Sequence, residues 1–145
     1  MLRGRPDIVW TGDAAADSGR ARVTLPSGSG RAQLLLVDDY VYARGDPAGL
    51  RYELNLTKAQ AKTYAGRWIS FPKSDSLYTE IDTGLTLASI VHDVTFAQIT
   101  GNPLPVAWRT GAGSEFESGS FSKWNEPVNV HAPASSTPIE TVRRG

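Results

Sequence analysis

Tyr40-Val-Tyr-Ala-Arg-Gly-Asp-Pro47, followed by Tyr64-Ala-Gly-Arg-Trp-Ile-Ser-Phe-Pro72, is the part of the chain that decides its fold. Asp38-Asp39 has the length and composition of a tight hairpin turn, so Leu34 to Val37 and Tyr40 to Ala43 are expected to pair antiparallel. Beyond Arg44 the period changes. Asp46 can cap a helix whose first position is Pro47, and Leu50 and Leu54 fall on one face at i, i+4. Thr57-Lys-Ala-Gln60 has the form of a capping box and opens a second helix through Ala59, Ala61 and Tyr64. Gly66 then supplies a left-handed stop. Arg67 to Phe71 reads as extended and closes at Pro72.

Upstream of this stretch, Ala21 to Leu25 and Ala32 to Val37 read as strands separated by the loop Pro26-Ser-Gly-Ser-Gly30. Downstream, Leu77-Tyr78-Ile81 and Leu85-Leu87-Ile90-Val91 make two more short amphipathic pieces, with Thr86 as cap of the second. Strand character returns in Val94 to Ile99, Leu104 to Arg109, Glu115 to Ser122 and Val128 to His131. Strands, then helices, then strands indicate an α+β domain with an antiparallel sheet. The expectation is one domain over residues 1–131, followed by a Pro/Ser/Thr-rich disordered tail over 132–145.

A chain of 145 residues can bury one sizeable core. Fifteen basic residues balance fifteen acidic ones, so no net field draws the protein onto nucleic acid. There is no cysteine, which removes disulfides, thiolate catalysis and sulfur-ligated metal. No stretch approaches the roughly 20 apolar residues of a membrane span.

Signatures of catalysis are missing too. Ser29 and Ser114 do not lie in a Gly-x-Ser-x-Gly elbow, and neither Gly28-x-Gly30 nor Gly111-x-Gly113 continues into a dinucleotide-binding pattern. His92 and His131 have no ligand spacing, so no metal or other cofactor is expected; His92 is placed at a helix end, where its charge suits the dipole. Glu115 and Glu117 share a strand face without a partner base. Arg44-Gly45-Asp46 matches an adhesion tripeptide and Asn55-Leu56-Thr57 a glycosylation acceptor, but Asp46 and Thr57 are both better employed as caps.

The abundant apolar and aromatic residues leave two readings open: an ordinary filled core, or a hollow between helices and sheet in which hydrophobic ligands bind.

Val41-Tyr42-Ala-Arg-Gly-Asp46, Tyr64-Ala-Gly-Arg-Trp-Ile69, Leu85-Thr-Leu-Ala-Ser-Ile90, Pro103-Leu-Pro-Val106 and Phe121-Ser-Lys-Trp-Asn-Glu-Pro127, in that order, resemble actinobacterial lipoproteins of the LppX/LprAFG type. The resemblance covers roughly residues 31–133. It implies a half-barrel of antiparallel strands with helices on its concave face, and a groove for acyl chains of cell-envelope lipids. Its lining would come from Leu34, Leu36, Val41, Leu50, Leu54, Tyr64, Trp68, Leu77, Ile81, Leu85 and Ile90, with Trp124 and Pro127 structural. The implied protein is a non-enzymatic lipid carrier of the envelope; the alternative is a protein-interaction module with a filled core.

Two departures from the family pattern shape these expectations. The signal peptide and acylated cysteine usual at the start are missing from this sequence, which is expected of a mature fragment, a misplaced start or a soluble, even cytoplasmic, paralogue. The second half is also shortened. A more open groove would follow, with peripheral membrane contact and an exposed sheet edge that favours a homodimer.

Overall fold

A computed structural model of the chain describes residues 8–82, 85–86, 107–112, 115–120 and 127–145. The hairpin expected around Asp38-Asp39 forms between β3 (Arg31–Val37) and β4 (Tyr40–Gly45), with Val37 opposite Tyr40. Both aspartates take positive φ, 52° and 60°, as the two central residues of a mirror-image turn require. Two strands precede it, β1 (Val9–Ala14) and β2 (Gly19–Thr24), joined to β3 through a 3₁₀ turn over Pro26–Gly28. β1 went unseen in the sequence because Gly12 and Asp13 interrupt its apolar alternation.

Asp46 caps α1 (Pro47–Leu54) as its position suggested. One carboxylate oxygen accepts the Gly49 N–H at 2.8 Å and the other accepts the Arg31 N–H at 2.9 Å, so one side chain fastens the helix start to the start of β3. Gly49 is required there, because a Cβ would overlap the Arg31 carbonyl oxygen. Asp46→Ala is expected to lower stability by about 2 kcal/mol, since it removes a cap and leaves two N–H groups unpaired. Chemical denaturation compared with Asp46→Asn measures it.

The capping box of α2 (Lys58–Tyr64) is complete: Thr57 Oγ1 accepts from the Gln60 N–H, and Gln60 Oε1 accepts from the Thr57 N–H. Gly66, at φ 74°, turns the chain into β5 (Ile69–Pro72), and α3 (Ser76–Asp82) follows. Further on, β6 (Ala107–Ala112) and β7 (Glu115–Ser120) form an antiparallel hairpin. The expected strand Val94 to Ile99 lies outside the described residues.

Three expectations are corrected. Val128 to His131 forms no strand. The tail expected to be disordered instead contributes β8 (Thr137–Pro138) and α4 (Ile139–Arg144). Ile139 and Val142 are completely buried there, and burial of two aliphatic side chains outweighs the polar composition of the segment before them. Because β8 runs parallel to β5, the sheet is mixed and not wholly antiparallel: an open six-stranded sheet in the order β1-β2-β3-β4-β5-β8.

The fold is α+β. Alternation divides the sheet into two faces. Ala21, Val23, Ala32, Leu34, Leu36, Val41, Ala43, Ile69 and Phe71 point inward and form one core cluster with Leu50 and Leu54 of α1, Ala61 of α2, Tyr78 and Ile81 of α3, and Ile139 and Val142 of α4. The described helices thus pack on one face of the sheet.

Candidate functional site

The proposed lining residues sit mostly inside that core. Leu34, Leu36, Val41, Leu50, Leu54, Ile81 and Leu85 are buried and belong to the one cluster, while Tyr64 and Leu77 pack against it from its margin. Trp68 is half-buried and faces a guanidinium, and Ile90 lies outside the described residues. The buried members touch one another and the helices.

The inner face changes character at its β1 end. Trp10 lies opposite Val23 and Gly12 opposite Ala21, so both share the face that is covered by helices further along the sheet. Val23 is 1% exposed but Trp10 is 40% exposed, and Ile8, just before the strand, is exposed as well. Gly19, opposite Ala14, is crossed so closely by the Leu85 carbonyl that a Cβ would overlap it. Cover over the inner face therefore reaches β2 at Gly19, and Trp10 on β1 remains partly exposed.

A second feature lies at the junction of β3, β4 and the α2–β5 turn. A cleft of about 530 Å³ is lined by Arg31, Gln33, Arg44, Asp46 and the small residues around Gly66. Arg44 Nη2 donates to Gln33 Oε1 at 3.0 Å, and the guanidinium lies 4.9 Å from the centre of the Trp68 ring. A second cleft, of about 300 Å³, opens between Leu54, Leu77, Gln60, Glu80 and Arg143.

Ionisable groups behave as their surroundings dictate. Glu53, on the buried face of α1, has an Oε1 without a hydrogen-bond partner, and burial pushes its carboxyl up to about 7. Hydrogen bonds from Arg143, at 2.6 and 3.1 Å, hold the Asp75 carboxyl below its ordinary range. Among the described residues no group of His, Asp or Glu side chains is arranged to hold a metal. His131 is exposed and His92 lies outside the described residues, as does Trp124. Glu115 and Glu117 lie on one strand, opposite Ala112 and Thr110, and Pro127 is exposed. No helix among the described residues is long and apolar enough to cross a membrane.

Sequence reading missed Trp10 and the Arg44 cleft. The second had a signal: Arg22, Gln33 and Arg44 are successive cross-strand neighbours once the hairpin register is known. Comparison with family models, with curated proteins and with solved structures found no match.

Proposed function

We propose that the protein is a non-enzymatic carrier of hydrophobic cell-envelope molecules, with the apolar chain of the ligand laid against the inner face of the sheet. The observation that carries this reading is the exposure of Trp10 on a face whose other large side chains are closed off by helices. An aromatic surface of this kind, next to the small residues Gly12 and Ala14, offers contact area without a side chain in the way. The one-sided helical cover fits the plan implied by the lipoprotein-like motifs, in which the sheet bends as a half-barrel around its cargo.

In this reading the backbone at Leu85, which crosses β2 at Gly19, acts as the wall of the groove beside Trp10. Affinity for saturated fatty acids of increasing length should rise about fourfold per methylene, from about 0.8 kcal/mol for each group removed from water. Trp10→Ala should flatten that dependence, with circular dichroism checking that the variant keeps its fold, since the indole is 40% exposed and the rest of it packs on the protein. Calorimetric titration over a chain-length series decides it: equal or undetectable binding at every length overturns the proposal.

A second reading is favoured by one specific observation. β1 stands at the end of the strand order and, among the described residues, pairs only with β2. An exposed strand with free backbone groups can accept a strand from another protein or from a second copy. A concentration-dependent dimer that Val9→Pro abolishes, without fatty-acid uptake, would favour this interaction module over the carrier.

A further inference from the structure

The face of the sheet turned away from the helices carries a charge pattern unrelated to the core. Arg22, Gln33 and Arg44 lie side by side across β2, β3 and β4, and Arg31 stands at the near end of β3. A chain with balanced charge has therefore collected three arginines on one small surface. Among the described residues no carboxylate lies within ion-pair distance of any of them; the neighbouring Arg20 is the one that is paired, with Asp13 at 2.6 Å. Arg44 is held in place from two sides, by the Gln33 amide oxygen and by the Trp68 ring. A guanidinium oriented in this way loses little freedom when it grips an oxyanion through two parallel N–H bonds.

The acid in the cleft is already occupied. Both Asp46 oxygens accept backbone N–H groups, from Gly49 and Arg31, so they are directed at the helix start and the strand. Arg31 and Arg44 line the cleft against this one carboxylate, and Arg22 stands on the next strand opposite Gln33, an excess of positive charge that suits an oxyanion such as a phosphate monoester. Ala65 and Gly66, which also line the cleft, are small, and its volume of about 530 Å³ leaves room for a phosphate together with the group that bears it.

We propose that the cleft between Arg31 and Arg44 is a phosphate-binding site, gripped bidentately by Arg44 and neutralised further by Arg31, with Arg22 adding to the field from the neighbouring strand. It is separate from the apolar surface at Trp10 and does not depend on the carrier reading. The phosphate can belong to a soluble ester or to a lipid headgroup.

The test uses the full chain with glycerol 3-phosphate and with vesicles of phosphatidylcholine containing phosphatidic acid, and with acetate and pure phosphatidylcholine vesicles as controls. Arg44→Gln is expected to weaken association at least about tenfold, as the loss of charge-assisted hydrogen bonds implies. Arg44→Lys, which keeps the charge and loses the planar fork, should fall between the two. Circular dichroism checks that both variants keep the fold.

Glycerol 3-phosphate binding that Arg44→Gln abolishes supports a soluble ester. Binding confined to phosphatidic acid vesicles, and lost in the same variant, supports a headgroup. No binding of either probe, equal binding of the controls, or binding unchanged by Arg44→Gln overturns the proposal.

Discussion

Glu53→Gln is expected to stabilise the protein at pH 8 by about 3 kcal/mol and to change it little at pH 5. The carboxyl of Glu53 titrates near 7 in the folded chain, against an ordinary value of 4.5, because burial disfavours its charged form. A group whose folded value is raised holds its proton more tightly in the folded state than in the unfolded one. Stability linked to a carboxyl of this kind is fully present below pH 4.5, falls as the pH climbs from 4.5 to about 7, and stays low above that. A difference of about 2.5 pH units corresponds to roughly 3 kcal/mol. Glutamine keeps the shape and removes the titration, so its stability should be flat where that of the parent slopes. Urea denaturation at pH 5, 6, 7 and 8 measures both curves, and parallel curves would refute the assignment. Asp75 does not confuse the result: its lowered value places its own loss of stability in acid, below 3.8.

Removal of residues 137–145 is expected to unfold the protein. The segment supplies Ile139 and Val142, both 0% exposed, and the strand that closes the sheet beside β5. Deleting one buried aliphatic side chain of this size typically costs 2–5 kcal/mol. Two of them approach the whole stability of an ordinary domain, about 5–15 kcal/mol. The same deletion removes Arg143 from Asp75, whose side chain is only 7% exposed, so a carboxylate is left without its partner. Arg143→Ala alone should cost about 1–2 kcal/mol, because the arginine is half in solvent and part of the interaction is screened. A truncated chain that kept dispersed methyl resonances and a cooperative transition would mean that the tail is an ornament, as its composition first suggested.

What could be read in the sequence follows the range of the interactions involved. Asp46 with Pro47, Thr57 with Gln60, the Asp38-Asp39 turn and Gly66 act within three or four residues of themselves, and each was legible. The failures needed distant partners. Thr137 and Pro138 carry no strand signal; their conformation is set by Ile69 and Ser70, which lie far away along the chain. Leu34, Leu36, Leu50, Leu54 and Leu85 are buried in the core cluster, but periodicity alone cannot tell a side chain that faces a cavity from one that faces another side chain. Trp10 was passed over because a single indole in a broken pattern says nothing until Val23 is set opposite it.

The pairing of Thr137 with Ile69 also sets a clock. A ribosome adds about 5–20 residues per second, so roughly 3 to 14 seconds separate the synthesis of β5 from that of its partner strand. Through that interval β5 has a bare flank, and the pocket meant for Ile139 and Val142 stands open in a nascent chain. A translational pause between residues 72 and 137 would lengthen that interval.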